Sequence, residues 1–254
     1  MITKYERDRY SRQIAISGFG EEGQEKLKHA RVAIVGMGGL GCPVAMYLAA
    51  AGIGNLKIVD SGKLELSNLN RQVLYNSLDL EAISKVATAY EKLKELNHEI
   101  EVEYVQVKVN QDNVIDIISG SHLVVDALDN FPTRYILNQA CIDLNLPLVH
   151  GAVEGFSGRV MTIIPGKTPC LMCIYGDHVS DRVPPVMGTT CGVIGSIQAT
   201  EVIKYVTGVG RLLMKRMLIY NGLGMTFTDV PVERNLKCPQ CGNRITKGGR
   251  SWLQ

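Results

Sequence analysis

The 254-residue sequence predicts an α/β protein with a mixed sheet, parallel in its N-terminal half and antiparallel in its C-terminal half. Two observations carry this prediction. As far as residue 150, short β-branched segments alternate with helical ones, which is typical of a parallel sheet covered by helices. Beyond Gly151, strand segments follow one another, and Gly222-Leu223-Gly224 separates the last two, which is typical of a hairpin.

The parallel half follows a polar helical segment over residues 5–29. A β-branched run over 31–35 ends in glycines, residues 40–51 suit a helix, and residues 56–60 form a second strand. This order is a βαβ unit whose glycine turn lies where such units bind phosphate. Residue spacing then predicts further helices over 82–96 and 132–144, and further strands over 101–107, 122–126 and 146–150.

The antiparallel half is predicted from strands over residues 158–164, 217–221 and 225–230, with a helix over 193–207. The intervening loop, residues 175–190, contains Pro184, Pro185 and Gly188, and loops of that length often cover functional sites. We expect one domain over residues 1–254, with a nucleotide-binding half over 1–150 and a substrate-binding half over 151–254.

Charge and composition exclude several classes of protein. Lys and Arg number 27 against 25 for Asp and Glu, so the net charge of +2 gives no sign of a nucleic-acid-binding face. The charged N-terminus is unlike a signal peptide, and no apolar run approaches the roughly 20 residues that span a bilayer. Seven cysteines, an odd number, argue against a disulfide framework. We expect a cytoplasmic protein that binds neither nucleic acid nor membranes.

The glycine-rich segment Gly36-Met37-Gly38-Gly39-Leu40-Gly41 follows a strand and opens a helix, so the predicted sheet is Rossmann-like. Glycines let the backbone approach a phosphate, and the helix N-terminus offers free N–H groups and a positive dipole end. Asp60 ends the next strand, where an acidic residue binds ribose hydroxyls. Alone, this motif favours NAD, and an NAD-dependent oxidoreductase is one alternative for the function.

Charged residues near the predicted strand ends favour ATP instead. Arg71 ends the polar segment 67–72, Lys85 begins the next helix, and Asp129 follows the strand that ends at Asp126. In an open α/β sheet the carboxyl ends of the strands meet at one crevice. Two cations there would neutralise a triphosphate, and Asp129 would hold Mg²⁺ through oxygen. The alternative is that each is a solvated surface charge.

With these motifs the sequence resembles the MoeB/ThiF/HesA family, relatives of the ubiquitin-activating enzymes. The resemblance covers nearly the whole chain in family order. The matching segments are residues 9–13, 36–41 and 67–72, Asp60, Lys85, Asp129-Asn130, two cysteine pairs and residues 195–201. The family implies a single adenylation domain and ATP-dependent adenylation of the C-terminal carboxylate of a small ubiquitin-like sulfur-carrier protein that ends in Gly-Gly, with pyrophosphate released.

The resemblance also implies roles for individual residues. The expected catalytic residues are Arg12, Arg71, Lys85 and Asp129, and Asp129 is the expected magnesium ligand. Arg12 is expected to reach the phosphates of the other protomer's site, so a homodimer is implied, and a separate protein would donate the sulfur. The expected ATP ligands are Gly36, Gly38, Gly39, Gly41, Asp60, Asn68, Arg71, Gln72, Lys85, Leu128, Asp129 and Asn130.

Two cysteine pairs of two-residue spacing, Cys170/Cys173 and Cys238/Cys241, predict a closed four-thiolate zinc site. Some family members use a cysteine in the loop over the active site, but residues 175–190 contain none, and Asp181 lies near the expected place. Cys191, at the predicted start of the next helix, is expected to be a buried core residue. The five histidines show no metal-ligand or triad spacing.

Two further alternatives stay open on the sequence. Without a loop cysteine, the substrate could be a small-molecule or peptide carboxylate instead of a carrier protein. A non-catalytic partner in a heterodimer would retain the same fold, but no expected nucleotide ligand is missing from this sequence.

Overall fold

The computed structural model describes residues 1–82, 84–177 and 184–242, and it confirms the predicted mixed sheet. The strands over these residues form one sheet in the order β3-β2-β1-β4-β5-β6-β7-β8. They are β1 (Arg31–Val35), β2 (Asn55–Val59), β3 (Glu101–Val105), β4 (Leu123–Asp126), β5 (Leu148–Glu154), β6 (Ser157–Ile163), β7 (Arg216–Asn221) and β8 (Thr226–Pro231). The strands from β3 to β5 pair in parallel, and those from β5 to β8 pair antiparallel.

The helices cover both faces of this sheet. They are α1 (Lys4–Arg9), α2 (Ser11–Ile14), α3 (Gly20–His29), α4 (Gly41–Ala51), α5 (Lys85–Leu96), α6 (Val114–Ile118), α7 (Phe131–Asp143), α8 (Leu171–Tyr175) and α9 (Gly188–Thr207). Two 3₁₀ helices, Leu66–Asn68 and Ser77–Glu81, lie between β2 and α5.

Two buried clusters make the core, one on each face of the sheet. On one face, apolar residues of α4, α5 and α9 pack on β1 and β2, including the fully buried Ile34, Leu48 and Ile58. On the other face, α6, α7 and α8 pack on β4, β5 and β6, and the four paired cysteines belong to this cluster. Burial on both faces explains why the central strands read as continuous apolar runs.

The register of the strands determines which residues meet at the carboxyl end of the sheet. Val35 of β1 is level with Asp126 of β4, and Asp126 is level with His150 of β5. Strand β5 continues past that edge as a hairpin arm, in which Ala152 pairs with Arg159 of β6. Residues directly paired across strands project from the same face, so Asp126, His150 and Arg159 share one face of the sheet.

Several element boundaries differ from those predicted. The N-terminal helical segment is three helices, because Tyr10 departs from helical φ and ψ between α1 and α2, and Gly18 adopts positive φ between α2 and α3. The helix expected from residue 82 begins at Lys85, with Ser84 as its N-cap, and the one expected from residue 193 begins at Gly188. The short helices α6 and α8 were not predicted, since each has only five residues.

The predicted loop over 175–190 is only partly described. Its first residues end α8, residues 178–183, including Asp181, lie outside the described part of the chain, and its last residues belong to α9. Pro185 and Val186 lie beside the β5–β6 turn, where Gly155 N donates to Pro185 O at 2.7 Å. In the described residues, no helix combines the length and apolar character needed to cross a bilayer.

Candidate active site

A cavity of about 930 Å³ lies at the carboxyl end of the parallel strands, where the βαβ unit meets the β5–β6 hairpin. It brings together ten of the twelve expected ATP ligands: Gly36, Gly38, Gly39, Asp60, Arg71, Gln72, Lys85, Leu128, Asp129 and Asn130. Most of these residues directly follow β1, β2 or β4, or begin α5, so the sheet topology itself places them around one space.

The glycine loop takes a shape that side chains would prevent. Gly36 has φ of +100°, and a Cβ on it would lie 2.5 Å from the carbonyl oxygen of Ala127. A Cβ on Gly41 would lie 1.9 Å from the carbonyl oxygen of Gly36. Gly41 itself does not line the cavity but lets the first turn of α4 close against the loop. The loop therefore presents the N-terminus of α4 to the cavity.

Asp60 fixes the glycine loop through one carboxylate oxygen and the segment after β2 through the other. Oδ2 accepts from Met37 N at 2.8 Å, and Oδ1 accepts from Gly62 N at 2.7 Å. Asp60 also lines the cavity, and each carboxylate oxygen has a second lone pair. The carboxylate can therefore hold the loop and still accept from a ribose hydroxyl.

Lys85 and Arg71 supply positive charge without an opposite charge nearby. Lys85 is the first residue of α5 and is 8% exposed, and its ammonium has no carboxylate within 4 Å in the described chain. Arg71 donates only to neutral acceptors, Ser67 O at 2.8 Å and the Asn70 side chain at 3.1 Å. A buried cation without an anion is costly, which applies to Lys85, and the half-buried Arg71 adds to the positive charge, so both favour an anionic ligand in this cavity.

Asp129 is an exposed carboxylate at the rim of the cavity. It accepts a hydrogen bond from the Asn130 side chain at 3.2 Å, and no cation of the described residues pairs with it. Asn130 also caps α7 by accepting from Thr133 N at 3.0 Å. Oxygens of this kind are suitable ligands for Mg²⁺.

Gln72 and Cys191 lie against the glycine loop. Gln72 is 4% exposed, and its Oε1 is buried with no hydrogen-bond partner among the described residues. The Cys191 sulfur would lie 2.7 Å from a Cβ on Gly39, so this thiol packs directly on the loop. Burial raises the pKa of Cys191 to about 11, so it is a protonated thiol at neutral pH and a poor nucleophile.

Three of the expected site residues do not line the cavity of their own chain. Asn68 is buried, and its Oδ1 accepts from Glu65 N at 3.3 Å. Gly41 serves loop closure as described above. Arg12 is exposed on α2, which packs against α1 and α3. Its expected role concerns the partner protomer and stays a prediction.

A series of hydrogen-bonded polar side chains, most of them buried, leads to the cavity, and the sequence did not predict it. We call this series the buried polar chain. Asp126 Oδ2 lies 2.7 Å from His150 Nδ1, and His150 Nε2 lies 3.0 Å from the Tyr175 hydroxyl. Arg134 lies 3.4 Å from the same Asp126 oxygen and donates to Leu128 O and Gly151 O. Arg134 therefore stabilises the loop that contains Asp129, and its own charge is paired with Asp126.

Burial and charge determine the protonation of this polar chain. Burial raises the pKa of Asp126, but the charge of Arg134 and the hydrogen bond from His150 outweigh it, so the pKa lies below its ordinary value. Burial also lowers the pKa of His150, against the opposing effect of Asp126. His150 is therefore neutral at pH 7, with Nδ1–H donating to Asp126 and Nε2 accepting from Tyr175.

The two cysteine pairs form one cluster, as predicted. All four sulfur atoms of Cys170, Cys173, Cys238 and Cys241 lie within 4.8 Å of one another. The Cys170 sulfur lies 3.9 Å from that of Cys173 and 3.7 Å from that of Cys238, and the sulfurs of Cys173 and Cys241 lie 3.4 Å apart. Four sulfurs around a tetrahedral zinc at about 2.3 Å would lie about 3.8 Å apart, so the cluster fits a metal of that size.

Comparisons with known proteins agree with this geometry. The model of the ThiF family matches residues 10–241. The chain is 42% identical to the SAMP-activating enzyme E1 of Haloferax volcanii, over 92% of this chain and 88% of that protein. It is 40% identical to the sulfur carrier protein adenylyltransferase of Thermus thermophilus, over 96% and 94%. Crystalline E. coli MccB with MccA-N7isoASN shares the fold, with TM-score 0.84 and 24% identity, over 92% and 75%.

The buried His150 predicts that stability depends on pH. The folded chain keeps His150 neutral, whereas in the unfolded chain His150 takes up a proton below its ordinary pKa of 6.5. The free energy of unfolding should therefore decrease as the pH falls below 6.5. The slope should approach about 1.4 kcal/mol per pH unit, the limit for one titrating group. Asp126 adds a loss of the same sign only below its ordinary value of 3.8.

Urea unfolding of wild type and His150→Gln at several pH values between about 7.5 and 5 measures this contribution. His150→Gln should be less stable at neutral pH and should show a flatter dependence. His29→Gln, at an exposed position, is the matched control and should follow the wild type. Equal slopes for wild type and His150→Gln would show that His150 is not held neutral.

Proposed function

The chain belongs to the ThiF family and is an adenylyltransferase, and we propose that it activates the C-terminal carboxylate of a ubiquitin-like sulfur-carrier protein. The observation that carries this proposal is a set of charges around one cavity, beside a glycine loop, that have no ionic partner among the described residues: Arg71, Lys85 and Asp129. A hydride transfer has no use for such a set, whereas a triphosphate and its metal ion require it. The relatives of Haloferax and Thermus named above support the carrier as substrate.

The proposed reaction is an in-line displacement at the α-phosphorus of ATP. A carboxylate oxygen of the substrate forms the new P–O bond, the bond to the β-phosphate oxygen breaks, and pyrophosphate leaves with that electron pair. No general base is needed, because a C-terminal carboxylate is already ionised at neutral pH. The barrier is the repulsion between carboxylate and triphosphate, which Lys85 and Arg71 offset while they hold the approach geometry.

We propose that different residues of the cavity contact the ribose, the phosphates and the metal ion. Asp60 accepts from the ribose hydroxyls, Gly38 and Gly39 let the phosphates approach the N-terminus of α4, and Gln72 offers its unpartnered oxygen beside them. Asp129 would hold Mg²⁺, which supplies charge neutralisation between the phosphates. We propose that the other residues which the family resemblance assigns to the nucleotide, including Asn68 and Asn130, contact it as well.

Arg12 and the four-cysteine cluster also have proposed roles. Arg12 is exposed on α2 and would act on the phosphates bound by a second protomer, so the proposed enzyme is a homodimer. The four-cysteine cluster would hold a zinc ion that joins the segment after β8 to α8 and leaves no open coordination position for catalysis. The sulfur that the activated carrier receives would come from another protein, in the reducing cytoplasm where free thiols persist.

Replacing Asp129 tests the proposed chemistry directly. Asp129→Asn keeps the shape of the side chain but removes the charge that holds the metal, so ATP–pyrophosphate exchange should fall at least about a hundredfold. The fold should be unchanged, because Asp129 is exposed and packs on nothing buried. Asp116→Asn, at an exposed position on α6, is the matched control and should exchange like the wild type.

The substrate in this assay separates the alternatives. A ThiS-type sulfur-carrier protein ending in Gly-Gly should support exchange by the wild type, while the same protein lacking both glycines, free amino acids and short peptides should not. Exchange supported equally by small carboxylates would contradict the carrier as substrate. An active Asp129→Asn enzyme would contradict the magnesium assignment.

Subunit complementation tests the role of Arg12. In a mixed dimer of Arg12→Ala and Asp129→Asn chains, one site combines the intact Asp129 of the first chain with the intact Arg12 of the second. Random pairing of equal amounts should therefore restore about a quarter of wild-type exchange, although each variant alone is inactive. Failure of co-expressed chains to exceed the separate variants would contradict a shared site.

Metal analysis tests the cysteine cluster. Purified wild type should contain about one zinc per chain, and Cys241→Ser should contain much less and unfold at a lower temperature. Cys141→Ser, a buried cysteine outside the cluster, is the control and should retain its zinc. A wild-type protein purified without metal chelators that contains no metal would contradict the assignment.

A further inference from the structure

The half of the cavity farthest from the glycine loop has its own charged residue, Arg159 of β6. Arg159 lines the cavity together with Ala152, Glu154 and Tyr175. Its guanidinium has no carboxylate within 4 Å in the part of the chain that the structure describes. Like Arg71 and Lys85, it is a cation placed beside a cavity without an anion of its own. Arg159 belongs to none of the sequence motifs above and has no part in the proposed adenylation chemistry.

Arg159 is held in place by the buried polar chain below it. Its guanidinium carbon lies 5.9 Å from the centroid of the Tyr175 ring, within the range of a cation–π contact. The Tyr175 hydroxyl lies 3.0 Å from His150 Nε2, and His150 in turn is fixed by Asp126 at 2.7 Å. The position of the Arg159 head is therefore determined by a series of contacts that ends in a fully buried carboxylate.

The strand order separates the backbone of Arg159 from the glycine loop. Strand β6 is three positions from β1 in the sheet, by way of β4 and β5, which corresponds to about 14 Å. It is two positions from β4, the strand that Asp129 follows, or about 10 Å. An extended peptide covers about 10 Å with three residues. A chain whose carboxylate lies beside Asp129 would thus pass Arg159 about three residues before its end.

We infer that Arg159, positioned by Tyr175, binds main-chain carbonyl oxygens of the carrier's extended tail, about three residues before the reacting carboxylate. This inference rests on the proposed function. A guanidinium offers five donors in a fixed plane, which suits the carbonyl oxygens of an extended strand and requires no particular side chain in the substrate. Arg159 is thus a specificity-determining residue that selects for a peptide tail over a small carboxylate, and Tyr175 is a positioning residue.

Steady-state exchange kinetics with a ThiS-type sulfur-carrier protein ending in Gly-Gly test the inference. Arg159→Gln should raise KM for the carrier roughly tenfold, because it removes a charge-assisted hydrogen bond made to the substrate. Both kcat at saturating carrier and KM for ATP should stay within about twofold of wild type, since the contact lies outside the nucleotide site. Arg159→Lys should give an intermediate KM, because it keeps the charge but not the planar fork.

Variants of neighbouring residues supply the controls. Tyr175→Leu should raise KM for the carrier in the same direction as Arg159→Gln, because it removes the ring on which the guanidinium rests, again without a change in KM for ATP. Arg216→Gln on the neighbouring strand β7, where Arg216 pairs with Asp229 outside the cavity, should behave as wild type. Unfolding temperatures of all variants would show that each one is folded at the assay temperature.

The outcomes separate the inference from the function on which it rests. A higher KM for ATP in Arg159→Gln would place Arg159 at the nucleotide and overturn the inference, and so would an unchanged KM for the carrier. In both cases the wild type would still exchange with the carrier, so the proposed function would stand. A wild type that shows no carrier-dependent exchange would overturn both.

Discussion

The carboxyl ends of the parallel strands meet at one edge of the sheet, where four charged side chains have no close counter-ion in the part of the chain that the structure describes. Lys85, Arg71, Asp129 and Arg159 all line the same cavity without an opposite charge within 4 Å among the described residues. Folding alone does not favour such a set, because partly buried charges lose hydration without compensation. A bound triphosphate, a metal ion and a peptide tail would compensate for it.

The remainder of the structure holds these charges in place. Asp60 fixes the glycine loop through Met37 N, and Arg134 ties the Leu128 carbonyl to that of Gly151 in β5. Helix α8 begins directly after Cys170 and ends at Tyr175, so the cysteine cluster anchors the helix that supports Arg159. The cysteine cluster and the cavity are therefore linked by the short helix α8, although no cysteine of the cluster lines the cavity.

The sequence predicted what depends on local signals. The glycine loop, the position of Lys85 at the start of α5 and the four paired cysteines follow from residue type and spacing within short segments. The roles of His150, Tyr175 and Arg159 could not be predicted, because they depend on the register of β5 with β4 and of β6 with β5. The helix that contains Cys191 starts at Gly188, where the backbone packs on the carbonyl of Asn70. The two residues are 118 positions apart in sequence, so residue spacing could not reveal this contact.

The glycine loop by itself is compatible with NAD, and only the surrounding charges favour ATP, so a comparison of the two ligands tests the central claim most directly. Thermal unfolding is measured with ATP and Mg²⁺, with ATP alone, and with NAD. A ligand at 100 times its Kd stabilises the folded state by about 2.7 kcal/mol. ATP with Mg²⁺ should raise the unfolding temperature most, ATP alone less, and NAD very little. Stabilisation by NAD that equals or exceeds that by ATP with Mg²⁺ would contradict the assignment of this site to adenylation.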